Sequence, residues 1–212
     1  MSAPARAVIS DFGGVLTSPL IESFAAYQEH SGVTMEALGE AMERAREANG
    51  GAHPLFELEK GLITEAEFLR LLEAELGDGI KLDRLRHVYF EHLQPNGEMI
   101  GHMRALRDRG LRMALLTNNV REWEPQWRSL LPDIDEIFEL VVDSAFVGMR
   151  KPEPGIYELT LERLGGGLEP SECVFLDDIE VNCDAARDLG MRAVHFVDTE
   201  QALAELERAL AG

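Results

Sequence analysis

Five short apolar runs are spaced along the chain, and their alternation with helical patterns restricts the possible folds more than any other feature. The runs are Ala7–Ser10, Arg112–Leu116, Phe138–Val142, Cys173–Leu176 and Ala193–Val197. Continuous apolar runs with β-branched residues are typical of strands covered on both faces, as in a parallel sheet. From residue 98 onward the runs alternate with helical patterns, which indicates βαβ crossover units. We therefore predict an α/β fold with a doubly wound, Rossmann-like parallel sheet.

The stretch between the first and second runs breaks this alternation. It contains four consecutive helical patterns, at about 20–31, 35–48, 64–76 and 82–92. Thr64 and Glu67 have the spacing of a capping box at a helix start, and the glycines within residues 49–54 predict a flexible break. We therefore predict an all-helical cap at residues 18–95, inserted after the first strand into a core formed by residues 1–17 and 96–212.

The acidic composition excludes several function classes. The chain of 212 residues carries 39 Asp and Glu against 20 Lys and Arg, a net charge of −19, whereas nucleic-acid binding needs a basic surface. The longest uncharged run, Phe12–Ile21, is shorter than the roughly 18 residues of a membrane helix, and the first residues lack a secretory signal. Cys173 and Cys183 form neither a disulfide framework nor a CxxC metal site. We expect a cytoplasmic protein that binds neither nucleic acid nor membrane.

Polar residues and glycines follow four of the five predicted strands. They are Asp11, Gly13 and Gly14 after the first, Thr117 and Asn118 after the second, Lys151 beyond the third, and Asp177, Asp178 and Asn182 after the fourth. Ligands of doubly wound sheets bind outside the carboxyl ends of the strands. Each residue alone has an ordinary structural role as a turn former, a helix cap or a surface charge. Together they predict a functional site on one rim of the sheet.

The residue types at this rim suit phosphoryl transfer. Three crowded carboxylates repel one another and raise each other's pKa, a conflict that a divalent cation resolves. An oxygen-only ligand set fits Mg²⁺ rather than zinc. Asp11 can then attack phosphorus and form an aspartyl-phosphate. The Thr117 hydroxyl, the Lys151 ammonium and backbone N–H groups can hold phosphoryl oxygens, which Gly13 and Gly14 allow to come close.

Four stretches resemble the motifs of the haloacid dehalogenase superfamily, in the same order. They are Asp11–Leu16, Leu115–Asn118, Gly148–Tyr157, and Phe175–Asp178 with Asn182 downstream. The helical insertion resembles the first cap type of that superfamily, which covers the active site and selects the substrate. Within the superfamily, the chain resembles the sugar-phosphatase-like members and those like the N-terminal domain of epoxide hydrolases. It implies a Mg²⁺-dependent hydrolase of a small phosphorylated metabolite, with sugar phosphates among the expected substrates, acting as a monomer or homodimer.

The resemblance also implies a role for each matching residue. Asp11 would be the nucleophile and a metal ligand, and the Gly13 carbonyl would be a second ligand. Asp178 would bind the metal directly, with Asp177 nearby or bound through water. The phosphoryl group would contact Thr117, Asn118 and Lys151, and Asn182 would orient Lys151 or a metal-bound water.

One position departs from the pattern of phosphatases in this superfamily. They usually carry a second aspartate two residues after the nucleophile, where it acts as general acid and base, and here that residue is Gly13. The loss favours substrates with good leaving groups, since general acid–base help is worth roughly 10²–10⁴ in rate. Otherwise a cap residue or water must supply the proton, and His53 and Glu57 are the candidate residues near the flexible break.

Three alternative functions remain open at this point. A metal-independent 2-haloacid dehalogenase of the same superfamily also lacks the second aspartate, but the adjacent Asp177 and Asp178 favour a metal. A phosphonate hydrolase would need a cap lysine as a Schiff base, and neither Lys60 nor Lys81 has a position that supports this role. The third alternative is a non-catalytic protein that binds a phosphometabolite or a partner, which Gly13 keeps open.

Overall fold

A five-stranded sheet lies at the centre of the computed structural model, which describes residues 4–77 and 79–212. The strands are β1 (Ala7–Ser10), β2 (Arg112–Thr117), β3 (Leu140–Asp143), β4 (Cys173–Asp177) and β5 (Arg192–His195). All neighbouring strands are parallel, in the order β3-β2-β1-β4-β5. The chain therefore builds one half of the sheet from β1 to β3 and then returns to the other side of β1. This arrangement confirms the predicted doubly wound α/β fold.

Two predicted strands extend two residues too far at one end, whereas the other strand ends agree with the prediction to within one residue. The third predicted strand begins at Phe138, but the N–H of this residue donates to the Ile134 carbonyl and ends a short helix, so β3 begins only at Leu140. The fifth predicted strand extends to Val197, whereas β5 ends two residues earlier. The Val197 N–H donates to the Gln201 side chain in the first turn of the following helix instead. Local helix contacts thus replace the ends of both strands.

Six helices lie between β1 and β2 among the described residues, and the first five fall within the predicted helical insertion. These five are α1 (Leu20–Ser31), α2 (Met35–Ala48), α3 (Pro54–Glu59), α4 (Glu65–Leu76) and α5 (Leu85–His92), which we call the helical segment. Four of them correspond to predicted helices, although α5 begins three residues later than expected. The predicted capping box is present, because Thr64 and Glu67 each accept a hydrogen bond from the other's backbone N–H at the start of α4.

Helix α3 lies partly where the sequence analysis predicts only a flexible break. Residues 49–53 lie outside any helix, but Pro54 occupies the first turn of α3, where its missing N–H costs no hydrogen bond. The prediction is wrong at this point because the adjacent glycines outweigh the proline signal. The position of this helix matters for the site, because Glu59 at its end pairs with Arg150, the residue before Lys151.

Helices cover both faces of the sheet. The remaining ones are α6 (Gly97–Asp108), α7 (Glu124–Leu130), α8 (Ile134–Ile137), α9 (Ser144–Val147), α10 (Pro154–Leu164), α11 (Glu180–Asp188) and α12 (Thr199–Ala211). Val8 packs into an apolar cluster with α6 and α12, whereas its neighbour Ile9 packs into a second cluster with α10 and α11. The first cluster continues into the helical segment, so the segment and the sheet share buried apolar contacts.

None of the helices in the described ranges is both long enough and apolar enough to cross a membrane.

Candidate active site

The carboxylates of Asp11 and Asp177 lie at the topological switch point of the sheet. Asp11 directly follows β1, and Asp177 is the last residue of the neighbouring β4. The chain leaves β1 toward β2 on one side and returns to β4 on the other, which opens a crevice outside the carboxyl ends of these strands. The Asp11 N–H donates to the Leu176 carbonyl (2.8 Å), so the parallel ladder extends to the first catalytic candidate.

Lys151 lies between these two carboxylates. Its Nζ is 2.8 Å from Asp11 Oδ1 and 2.6 Å from Asp177 Oδ2, and only 1% of its side chain is exposed. Burial opposes the charge of the ammonium, but the two carboxylates outweigh this effect, so the pKa of Lys151 lies above its usual range. The structure therefore brings together the predicted nucleophile and the predicted phosphate-binding lysine, and the lysine is charged.

Asp177 is fully buried and bonded through both of its oxygens. Oδ2 accepts from Lys151, while Oδ1 accepts from the Ile179 N–H (2.9 Å) and from Asn182 Nδ2 (3.0 Å). Asn182 is predicted to orient Lys151 or a metal-bound water. Its amide instead donates to Asp177, the carboxylate that holds the lysine. Asp177 thus has little capacity left to bind a metal directly.

Asp178 is less buried than its neighbour and completes a group of three acids. Carboxylate oxygens of Asp11, Asp177 and Asp178 all lie within 4.8 Å of one another. Burial raises the pKa of Asp11 to about 8; Lys151 lowers it, and Asp177 and Asp178 raise it. Burial and the Asp177 carboxylate raise the pKa of Asp178 to about 6. One ammonium therefore does not balance three acids, and an oxygen-only set with excess negative charge suits a hard divalent cation.

The Asn118 side chain bonds to the backbone of Lys151, so its amide is not free to bind a phosphoryl group. Its Nδ2 donates to the Lys151 carbonyl (3.0 Å), and its Oδ1 accepts from the Lys151 N–H (2.9 Å). A contact between Asn118 and phosphate would therefore be made by its backbone N–H. Thr117 ends β2 beside it and is buried on the same rim.

Gly14 allows Asp178 to approach the loop after β1. Its φ of +76° lies in the left-handed region, and a Cβ at this position would lie 2.2 Å from Asp178 Oδ2. The Gly14 N–H also donates to the Thr17 hydroxyl (2.9 Å), which closes the turn. Both the backbone conformation and the space beside Asp178 thus require glycine.

Gly14→Ala is expected to lower the free energy of unfolding by at least about 1–2 kcal/mol, the cost of a left-handed L-residue, and to weaken Mg²⁺ binding by displacing Asp178. Urea denaturation and Mg²⁺ titration measure the two effects. Gly13→Ala is the matched control, because Gly13 is not in the left-handed region and its Cβ would meet only the flexible Leu20 side chain at 3.2 Å. Equal losses in both variants would contradict this explanation.

A cavity of about 320 Å³ extends from this rim into the helical segment. The core contributes Gly13, Thr117 at the end of β2 and the loop residues Asn118 and Asn119 to its wall. Helices α1 to α5 contribute mainly Leu, Phe and Met side chains. Natural cores rarely contain voids much larger than a water molecule. A space of this size therefore has the dimensions of a ligand pocket, at the lower end of the usual range.

Three residues near the site, Glu59, Arg150 and His195, are not predicted from the sequence. Glu59 lines the cavity, and Arg150 Nε donates to its Oε2 (2.6 Å). His195 Nε2 lies 3.0 Å from the Asp178 carbonyl at the end of β5. Pro54 is the signal that could have revealed Glu59, since a proline at a helix start predicts the helix that carries it. The two candidate proton donors, His53 and Glu57, are not among the residues that line the cavity.

Comparison with known proteins places this geometry in a family. Residues 5–190 match the haloacid dehalogenase-like hydrolases. Bifunctional epoxide hydrolase 2 of Sus scrofa is 31% identical over 218 residues, which covers 96% of this chain and 38% of that protein. The chain thus spans about two-fifths of the length of this relative. Phosphatase MT3486 of Mycobacterium tuberculosis (strain CDC 1551 / Oshkosh) is 34% identical over 137 residues, covering 63% of this chain and 61% of that protein.

A solved structure shares the fold. The HAD family enzyme bt-2542 of Bacteroides thetaiotaomicron, in complex with magnesium and inorganic phosphate, superposes with a TM-score of 0.65 at 22% identity, covering 90% of this chain and 93% of that one. The family match extends from before Asp11 to beyond Asn182 and so includes all four motifs. The chain therefore belongs to the haloacid dehalogenase-like hydrolase family.

Proposed function

We propose that this protein is a Mg²⁺-dependent phosphomonoester hydrolase in which Asp11 forms an aspartyl-phosphate. The observation that carries the proposal is the position of the Asp11 carboxylate, at the switch point, 2.8 Å from a buried lysine and within a group of three acids. A phosphatase among the relatives, and a similarly folded enzyme that binds magnesium and phosphate, support it.

The acidic group fits the metal that the family implies. Asp11, Asp178 and the Gly13 carbonyl would hold Mg²⁺, while Asp177, whose oxygens are already bonded, would contact it through water. The raised pKa values of Asp11 and Asp178 support this assignment, since burial and the neighbouring carboxylates disfavour the charged form of both groups and a bound cation would reverse this. The bound cation would favour the carboxylate form of these ligands and neutralise charge on the phosphoryl group.

The protein's own groups would perform the remaining chemistry. Asp11 attacks phosphorus, and the bond to the leaving oxygen breaks on the side opposite the attack. The Lys151 ammonium, held in place by Asp177 and by the Asn118 amide, stabilises the charge on the phosphoryl oxygens. The Thr117 hydroxyl supplies a further donor on the same rim. Water then hydrolyses the aspartyl-phosphate and releases phosphate.

The helical segment would act as the substrate-selecting cap. We assign residues 18–95 to this cap and residues 1–17 and 96–212 to the catalytic core. The lining of the cavity favours a substrate with an apolar body over the sugar phosphate that the resemblance implies, because a sugar's hydroxyl groups would lose water there without gaining enough partners. Its volume is roughly twice the ~150 Å³ of an apolar cavity that accommodates benzene.

Hydrolysis of p-nitrophenyl phosphate with Mg²⁺ and with excess EDTA tests the proposed function. This leaving group needs little protonation, so the absence of an acid at Gly13 does not mask the chemistry. We expect turnover with Mg²⁺ that falls at least about 10²-fold in EDTA, given the several kcal/mol that a metal contributes to such sites. Metal-independent release of halide from a 2-haloacid, without phosphatase activity, would favour the dehalogenase alternative. Binding of phosphate without turnover of any ester would favour the non-catalytic one.

A series of n-alkyl phosphates tests the apolar character of the substrate. We expect kcat/KM to rise by up to about fourfold for each added CH₂, which corresponds to ~0.8 kcal/mol, until the cavity is filled. Most of the change should appear in KM, because these contacts are equal in the ground and transition states. Glucose 6-phosphate serves as the polar comparison. A flat series with faster turnover of the sugar phosphate would contradict the assignment of an apolar substrate.

A further inference from the structure

An alkyl phosphate creates a chemical problem that the core rim does not solve. An alkoxide is a poor leaving group, so its oxygen must receive a proton as the bond to phosphorus breaks. Gly13 occupies the position of the usual acid and has no side chain. The other groups on the rim are committed, since Lys151 and Asp177 hold each other and Asn118 holds the lysine backbone.

Glu59 is the one carboxylic acid among the described residues that line the cavity. It is the last residue of α3, and its side chain is only 16% exposed. The cavity that it faces reaches Gly13 and Thr117, the residues beside the predicted phosphoryl position. An acid on this wall is therefore on the cap side of the site, where the leaving group of an ester attacked by Asp11 would lie.

The loop that carries Lys151 fixes the position of Glu59. Arg150 Nε donates to Glu59 Oε2 (2.6 Å), and the Arg150 guanidinium stacks 4.0 Å from the centre of the Phe56 ring. Lys60, the residue after Glu59, pairs with Glu153 of the same loop (2.6 Å). Two ion pairs thus join the end of α3 to the loop, one with its acid on the α3 side and the other with its base there. Lys151, which is buried, connects the same loop to Asp11.

The bonding of Glu59 leaves it able to carry a proton. Among the described residues its hydrogen bonds involve Oε2 alone, so Oε1 is available to carry a proton. Burial raises the pKa of the carboxyl, and this effect exceeds the lowering by Arg150 and Lys151. The single contact to Arg150 orients the group without occupying both oxygens.

We propose that Glu59 protonates the leaving oxygen and so replaces the acid that is missing at Gly13, an inference that rests on the proposed phosphatase function. As Asp11 bonds to phosphorus, the bond to the ester oxygen breaks, its electron pair stays on that oxygen, and the Glu59 proton moves to it, which gives the alcohol. The Glu59 carboxylate then takes a proton from the water that attacks the aspartyl-phosphate. Phosphate leaves, Asp11 is restored and Glu59 is protonated again.

The two donors predicted from the sequence are placed less favourably. His53 stacks on Phe56, with ring centres 4.3 Å apart, before α3 begins. Glu57 lies two residues before Glu59 on the same helix, and a spacing of two residues directs side chains to different faces. Glu57 is therefore a matched control, because it has the same side chain and lies on the same helix but outside the cavity wall.

A leaving-group series tests the proposal with the wild-type protein, Glu59→Gln and Glu57→Gln. We expect Glu59→Gln to keep kcat/KM on p-nitrophenyl phosphate within about 3-fold of wild type but to lose on the order of 10²–10⁴ in kcat/KM on n-alkyl phosphates. The loss should therefore grow steadily with the pKa of the leaving alcohol. Because kcat/KM reports only the steps through departure of the leaving group, the loss of the Glu59 base in the later hydrolysis of the aspartyl-phosphate lowers kcat instead. Glu57→Gln should match wild type across the series. Glutamine can still accept the Arg150 hydrogen bond, so the change removes the proton and keeps the contact.

Two results would overturn the assignment. An equal loss in kcat/KM on every ester would show that Glu59 only holds Arg150 and the neighbouring loop in place, and no loss in kcat/KM on alkyl esters would exclude a role in protonation. Urea denaturation of both variants verifies that they are folded. Failure of the wild-type protein itself to hydrolyse any ester would be a different outcome, which refutes the proposed function and the role of Glu59 with it.

Discussion

Asp11→Asn is expected to reduce Mg²⁺-dependent phosphatase activity by on the order of 10⁴-fold or more, as loss of a nucleophile does in other covalent enzymes. The amide keeps the shape of the side chain but cannot form the aspartyl-phosphate. Asp184→Asn is the control, since Asp184 lies on the exposed face of α11, where it pairs with Arg187. Initial rates on p-nitrophenyl phosphate measure both variants. Substantial residual activity in Asp11→Asn would contradict nucleophilic catalysis by this residue.

The same variant has a second expected effect, on stability in EDTA. The pKa of Asp11 is raised to about 8 in the folded protein, so the folded state binds a proton that the unfolded state releases above about pH 4. Stability without metal is then fully present at acidic pH and decreases as the pH rises from about 4 to 8. Asp11→Asn should flatten this dependence and remain folded. A variant that is inactive yet at least as stable at pH 7 separates a catalytic defect from a folding defect.

Lys151→Met is expected to destabilise the protein by about 3–5 kcal/mol, the usual cost of breaking a buried ion pair on one side. Methionine has a similar length but leaves Asp11 and Asp177 without their shared counter-charge. Activity should also fall, since the lysine stabilises phosphoryl oxygens in the proposed mechanism. Urea denaturation measures the change in the free energy of unfolding.

Lys81→Met is the matched control for this substitution. Lys81 pairs with Glu73 at 2.9 Å, but 73% of its side chain is exposed. Exposed pairs contribute at most about 1 kcal/mol, because water screens them. Similar losses for the two variants would contradict the claim that burial gives the Lys151 pairs their importance.

The sheet and its rim were predictable because their signals are local. Each strand is a short apolar run, and Asp11, Thr117 and Asp177 fall at or directly after the carboxyl end of a strand. Parallel strands place these positions on one edge whatever the details of packing. The family motifs add roles to the same positions. This part of the site follows from the order of the elements alone.

Other parts of the site depend on contacts that a single sequence does not encode locally. Asn182 bonds to Asp177 rather than to Lys151, and the Asn118 side chain holds the lysine backbone; both depend on side-chain directions. The cavity is formed by the apolar faces of several helices, which look like ordinary core faces in the sequence. Glu59 reaches the site only because α3 folds against the loop at Arg150, a contact between residues 91 apart.

The most direct test of the central claim is to look for the phosphoryl group on Asp11 during turnover. Wild-type protein is mixed with Mg²⁺ and excess p-nitrophenyl phosphate, quenched in acid within the first turnover, digested and analysed by tandem mass spectrometry. We predict that the peptide containing Asp11 carries one phosphoryl group, that the modified fragment ions begin at Asp11, and that the Asp11→Asn protein carries none. Release of nitrophenol with no phosphoryl group on Asp11, or with one on a different residue, would contradict the account.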